Sequence, residues 1–232
     1  MTRSQGLEER DTAKDVAKVQ VFLVDDHPVV RQGIAMLIDQ EADMCVCGEA
    51  DNAETAVRMI NEQKPDLAIV DLSLKNSSGL ELIKDLQVRD PQVKVLVLSM
   101  HDEAFYAERV LRAGARGYMT KDEGTEKVVE GIRMLLNGEV YVSDRVASKM
   151  IGKLIGGRGA SWSKIDGLTD RELEVFELIG TGLGTREIAG KLHVSIKTIE
   201  SHREHMKEKL GIANATELLK YAVQWMQCER QS

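Results

Sequence analysis

Cysteine, proline and aromatic residues are scarce in this 232-residue chain, which holds three Cys, three Pro and only 4% Phe, Trp and Tyr. Three cysteines cannot build a disulfide framework. Cys45 and Cys47 alternate on a strand-like segment with no second Cys/His pair at ligand spacing, so they read as small packing residues rather than zinc ligands, and Cys228 stands alone near the end. The low proline count, beside 43% hydrophobic and 30% charged residues, excludes collagen-like and disordered classes. There is no apolar run of the ~20 residues that cross a membrane. The opening stretch MTRSQGLEERDTAKDVAK is polar and of mixed charge, so it reads as a charged tail rather than a signal peptide. The expectation is a cytoplasmic protein without a membrane partner.

Positive charge is also short. The net charge of −7 divides into −9 over residues 1–140 (17 basic against 26 acidic), +3 over 141–166 (5 against 2) and −1 over 167–232 (9 against 10). No segment is basic enough to argue nucleic-acid binding by charge alone, so that argument has to rest on pattern.

From Val19 onward, short apolar runs alternate with amphipathic stretches: VQVFLV, MCVCGEA, LAIV, VKVLVLS and ARGYM, each followed by a helical pattern. Runs such as Leu67-Ala68-Ile69-Val70 lack polar alternation, as strands do when helices cover both faces of a parallel sheet. This predicts an α/β, doubly wound, five-stranded parallel sheet over residues 18–138, preceded by a tail at 1–17. Residues 139–165 read as an interdomain linker, with a short helix from Ser143 to Ile155 and a flexible Gly156-Gly157-Arg158-Gly159 stretch. Residues 166–232 are purely helical, forming a second, smaller all-α domain with helices at about 169–180, 185–191, 196–209 and 214–227.

The polar residues at the strand ends carry chemistry. Asp25-Asp26 ends the first strand, Asp71 the third and Ser99 the fourth, while the fifth leads into Lys121. In a doubly wound sheet these ends share one edge, where ligands bind. Three carboxylates gathered there need a cation, and Mg²⁺ suits an all-oxygen set beside a phosphoryl group. Asp71 is the candidate nucleophile, to become an aspartyl phosphate. Lys121 would neutralise phosphoryl oxygens and Ser99 would donate to one. Asp25, Asp26, Asp71 and the Ser73 backbone carbonyl form the candidate metal set.

The segments VFLVDDHPVVRQG, LAIVDLSLKNSSGLEL, VKVLVLSMHDE and AGARGYMTKD resemble the receiver domain of two-component response regulators over about 120 residues. The resemblance implies that Asp71 accepts phosphate from a sensor histidine kinase. It also implies that Asp26 binds Mg²⁺ directly and Asp25 mostly through water, and that Ser99 and Tyr118 act as a switch pair.

In the last 65 or so residues, Thr169 and Glu172 form a capping-box pattern, glycines flank a turn before Thr185, and Ser195 caps a longer helix. A helix, a turn, a short helix and a capped longer helix make a helix-turn-helix. The longer helix offers Lys197, Thr198, Glu200, Ser201, Arg203, Glu204 and Lys207 for contacts with double-stranded DNA. The glycines of Gly180 to Gly184 follow a helix rather than a strand and read as a plain turn, not a phosphate loop. His202 and His205 lack further ligands for a metal, and His193 reads as a packing residue in the turn.

This domain is similar to the LuxR-type DNA-binding domain, and a receiver joined to it is the architecture of the NarL/FixJ family. The resemblance implies a non-enzymatic transcription regulator, a homodimer when phosphorylated, and RNA polymerase as a further partner at promoters. It also implies that the final helix pairs subunits. A Mg²⁺-dependent phosphohydrolase using Asp71 and a regulator indifferent to phosphate remain open alternatives. In the unmodified state the reader domain is expected to fold back on the receiver and hide Lys197 to Lys207.

Overall fold

The computed structural model describes residues 18–74, 77–101, 103–124, 126–155 and 164–231. The expectations for residues 1–17 and for Gly156 to Gly159 fall outside them. In chain order the elements are β1 (Val19–Val24), α1 (Pro28–Gln40), β2 (Met44–Ala50), α2 (Ala53–Gln63), β3 (Leu67–Val70), β4 (Ser73–Leu74), β5 (Ser77–Ser78), α3 (Gly79–Arg89), β6 (Lys94–Ser99), α4 (Glu103–Ala113), β7 (Gly117–Thr120) and α5 (Glu126–Leu136). They are followed by α6 (Asp144–Ile155), α7 (Asp170–Gly180), α8 (Thr185–Lys191), α9 (Ile196–Leu210) and α10 (Ala215–Gln231).

Five strands form one parallel sheet in the order β2-β1-β3-β6-β7. The order reverses between β1 and β3, which puts the crevice for a ligand outside the carboxyl ends of those two strands. Side chains alternate across the sheet as the two-residue period requires. Val21, Leu23, Leu67, Ile69, Leu96 and Leu98 pack with Ile34 and Ile38 of α1 and with Ile132 and Leu135 of α5. Phe22, Val24, Ala68, Val70, Val95 and Val97 pack on the other face, with residues of α2, α3 and α4. Both faces are covered, which is why the strands are apolar without alternation.

Local signals set the helix ends. Pro28 opens α1, where its missing N–H costs nothing, and Asn52 caps α2 by accepting from the Thr55 N–H. Thr169 and Glu172 form the reciprocal capping box of α7, and Ser195 caps α9, which ends at Gly211 in the left-handed region (φ 68).

Sequence pattern missed two features. The antiparallel pair β4 and β5 is two residues long on each side and rich in serine, too short to show periodicity. A 3-10 turn at Lys164–Gly167 leads into α7. Within residues 139–155, Tyr141 makes a parallel bridge to Gly117 at the sheet edge, and the Ser143 hydroxyl donates to Glu103 Oε1 at 2.7 Å, so this stretch is bound to the receiver.

The α2–α4 side of the receiver core is continuous with the core of the helical domain, through Phe105, Ile165, Leu168, Phe176, Ala222 and Met226.

Candidate functional site

The carboxyl ends of β1, β3, β6 and β7 bring the expected pocket residues together. The Asp71 N–H donates to the Val24 carbonyl at 2.8 Å, which ties the end of β3 to the end of β1. Lys121 Nζ donates to Asp25 Oδ2 at 2.7 Å and to Asp71 Oδ2 at 2.6 Å. The Lys121 N–H donates to the Ser99 carbonyl at 2.9 Å, so β6 fixes the root of the lysine. Ser73 N–H points back to Asp71 Oδ1 at 3.3 Å.

The loop after Asp71 runs under the first turn of α3. A Cβ built on Gly79 would lie 2.1 Å from the Asp71 carbonyl oxygen and 2.7 Å from Leu72 Cα, both backbone atoms. Only glycine permits this approach.

Asp25 and Asp71 are buried. Burial pushes the Asp71 carboxyl above its usual value, with the Asp25 charge adding to the rise, and Lys121 offsets this only in part. Desolvation opposes the charge on Lys121, but the facing Asp71 and Asp25 more than compensate and hold its ammonium protonated. Three acidic groups against one ammonium leave excess negative charge. One ligand atom each from Asp25, Asp26, His27 and Asp71 lies within 4.8 Å of the others, the only such group of three or more among the described residues. Asp26 Oδ1 is buried and accepts no aligned hydrogen bond from the described residues, His27 Nδ1 standing close to it but out of line. A hard divalent cation fits this donor set, because it would satisfy that oxygen and balance the charge.

Two pocket residues were not read from the sequence. His27 places Nδ1 2.8 Å from Asp26 Oδ1, and the only hint was its position directly after the acid pair. Arg31 Nη1 donates to the Asp25 carbonyl at 2.6 Å, while its Nε binds Glu49 on β2, a bracing that no local motif encodes.

Ser99 and Tyr118 are both fully buried. The Ser99 hydroxyl accepts from the His101 N–H at 3.4 Å, and the Tyr118 hydroxyl donates to the His101 carbonyl at 2.7 Å.

At the other end of the chain, α8 and α9 form the helix-turn-helix. His193 in their connection is exposed rather than packed. Its left-handed backbone (φ 53) closes the turn and leaves the ring in solvent. On α9, Ile199, Met206 and Leu210 face the core. Lys197, Glu200, Ser201 and Glu204 are exposed on the opposite face, whereas Thr198, Arg203 and Lys207 sit half-buried at its flanks. The Thr198 hydroxyl lies 2.8 Å from Ser195 Oγ and so joins the cap. Lys207 pairs with Glu204 at 2.8 Å. His205 Nδ1 stands 4.0 Å from Glu172 Oε1.

The expectation that the receiver hides Lys197 to Lys207 is overturned by this exposure. The receiver covers α7 and α10 instead. Phe105 of α4 meets Trp225 of α10 with ring centroids 4.2 Å apart, and Arg109 of α4 donates to the carbonyls of Ile165 and Leu168 and to Asp170. Burying a tryptophan gains more than covering the polar face of α9.

Comparison with known proteins agrees with this division. Residues 21–133 match the response regulator receiver domain, and residues 166–222 match the family described as bacterial regulatory proteins, luxR family. The oxygen regulatory protein NreC of Staphylococcus aureus (strain bovine RF122 / ET3-1) is 35% identical over 210 residues, which cover 88% of this chain and 97% of that one. RcsB of Salmonella enterica serovar Typhimurium, solved bound to promoter P1flhDC in the presence of the phosphomimetic BeF3−, is 29% identical, with a TM-score of 0.59 over 88% of this chain and 98% of that one. A LuxR-family two-component response regulator from Aurantimonas sp. SI85-9A1 is 31% identical, with a TM-score of 0.56 over 60% of this chain and 99% of that one.

Proposed function

The chain belongs to the NarL/FixJ-type two-component response regulators, DNA-binding proteins that join a receiver to a LuxR-type domain, and we propose that phosphorylation of Asp71 controls its binding to promoters. The observation that carries the reading is the Lys121 ammonium held between Asp25 and Asp71 at the switch point of the sheet. An Asp71 carboxylate oxygen attacks phosphorus of a phosphohistidine on a sensor kinase. The new O–P bond forms as the P–N bond breaks, and the leaving electron pair returns to the imidazole. Lys121 meets the negative charge on the transferred group, and Ser99 donates to one of its oxygens. Asp25, Asp26, Asp71 and the Ser73 carbonyl would hold Mg²⁺, which when bound supplies charge neutralisation at the phosphoryl oxygens. The buried Asp26 oxygen, which accepts no aligned hydrogen bond from the described residues, supports that assignment.

Residues 166–232 then act as the reader domain, linked through 139–165 to the receiver at 18–138. Lys197, Glu200, Ser201 and Glu204 present the groove-facing side of α9, with Arg203 and Lys207 placed at its flank for phosphates and Thr198 beside the cap. Glutamates on this face suit cytosine N4 donors. RcsB has been solved as two dimers bound to two parallel DNAs. A homodimer is proposed here as well, because residues 167–232, of net charge −1 (9 basic, 10 acidic), gain little affinity from one half-site. Two readers on a two-fold axis address half-sites ~34 Å apart.

The test is labelling with an acyl phosphate or a phosphorylated kinase in the presence of Mg²⁺. The wild-type chain should take up phosphoryl and Asp71→Ala should not. Equal labelling of both refutes the assignment.

A further inference from the structure

Between the phosphoacceptor pocket and the helical domain lies one imidazole that contacts both. His101 follows the end of β6 and precedes α4. Its Nε2 lies 2.8 Å from the hydroxyl of Ser73, whose own N–H binds Asp71. Its Nδ1 lies 3.4 Å from Glu177 Oε2 on α7, inside the helical domain. The same Glu177 oxygen accepts from the Tyr106 hydroxyl at 3.1 Å, and the Tyr106 ring packs against the His101 ring with centroids 4.6 Å apart. Glu177 and Tyr106 are both buried.

The backbone of His101 is engaged too. Its N–H donates to Ser99 and its carbonyl accepts from Tyr118, the two residues assigned as the switch pair. All the polar groups of this residue are thus committed, two to the switch, one to the loop after Asp71 and one to the other domain.

We propose that His101 couples the phosphoacceptor pocket to the DNA-binding domain, holding α7 through Glu177 while Asp71 is unmodified and releasing it when Ser99 and Tyr118 move.

A hydroxyl drawn from Ser99 toward a phosphoryl group leaves the His101 N–H, and a turning Tyr118 ring leaves the His101 carbonyl. The segment carrying the imidazole then has no fixed position. Glu177 loses its second partner in a buried setting, where an incompletely paired carboxylate is strongly unfavourable. The packing of Phe105 on Trp225 and the Arg109 contacts remain, but without the His101 link they hold the domains together less tightly, so α7 and α10 separate from α4 in a larger fraction of molecules. Coupling is reciprocal: a chain whose domains are already apart should hold the phosphorylated form more readily.

This inference rests on the proposed role of Asp71, and the experiment separates the two. In the full chain with Trp162→Phe, Trp225 alone reports the packing against Phe105 by its emission, with and without beryllofluoride and Mg²⁺, while acyl-phosphate labelling of Asp71 is followed in parallel. Glu177→Gln should raise the open fraction of the unmodified chain by about tenfold, shift Trp225 emission toward that of the beryllofluoride-treated chain, and leave the labelling stoichiometry intact. His101→Ala should do the same, and combining it with Glu177→Gln should add little, because both remove one link. Absence of labelling in the unsubstituted chain overturns the role of Asp71. Normal labelling with unchanged Trp225 emission in Glu177→Gln, or fully additive effects of the two substitutions, overturns the coupling through His101.

Discussion

Replacing Gly79 by alanine tests how the fold positions the phosphoacceptor. The added Cβ would stand 2.1 Å from the Asp71 carbonyl oxygen, against 3.4 Å or more in ordinary contact, so one of two backbones must retreat by more than 1 Å. Neither is a flexible side chain. The Gly79 N–H also donates to the Leu72 carbonyl at 3.0 Å, which couples any shift of α3 to the loop after Asp71. Lys121 holds Asp71 at 2.6 Å, and a displacement of that size breaks the hydrogen bond. A 1 Å misplacement of a reacting group can cost ~100-fold in rate. Overpacking of this kind costs about 1–3 kcal/mol, or a fall in Tm of several degrees. The assay is the initial rate of acyl-phosphate labelling with Mg²⁺ at a temperature well below the melting transition, together with Tm from far-UV circular dichroism. Gly79→Ala should remain folded, melt earlier and label roughly 100-fold more slowly. Wild-type rate and Tm would refute the argument that backbone approach at Gly79 sets the position of Asp71.

Lys121→Ala should lower labelling by at least ~100-fold, as the loss of one positioned charge does, while the fold persists; phosphoryl uptake at the normal rate in that variant contradicts its role. Glu172 is desolvated, which pushes its carboxyl up, but the hydrogen bonds from Lys209 and from Thr169 more than offset this and hold it below its usual range. A depressed folded value contributes stability above the unfolded pKa of ~4.3, and that contribution fades as pH falls through the folded value. Glu172→Gln should therefore lower stability at pH 7 by about 1–2 kcal/mol and flatten the acid limb of a denaturant-midpoint profile, and an unchanged limb counts against the ion pair with Lys209. Ser195→Ala removes the acceptor that caps α9 and should cost about 1 kcal/mol and weaken DNA binding without changing labelling at Asp71.

The pocket was legible because each of its residues ends or follows an apolar run. Once Val19 to Val24 and Leu67 to Val70 are read as parallel strands, Asp25, Asp26 and Asp71 must share an edge. Capping chemistry made the ends of α7 and α9 equally readable from Thr169, Glu172 and Ser195. What stayed hidden depends on tertiary approach. Tyr106 and Glu177 are 71 residues apart, and nothing local to either predicts that they meet. Arg31 braces Asp25 from a position one turn into α1 that reads as an ordinary surface cation. The direction of domain packing is not encoded locally: the polar face of α9 marks a functional surface in the sequence, whereas apolar burial at Phe105 and Trp225 decides which face is covered.

In the proposed function, phosphate on Asp71 governs DNA binding by the reader domain. This control is tested most directly by measuring the affinity of the full chain for promoter DNA at fixed salt, with and without beryllofluoride and Mg²⁺, for wild type and for Asp71→Ala. Beryllofluoride should tighten binding and favour a dimer in the wild type and change neither in Asp71→Ala. Equal affinity in all four conditions would contradict it.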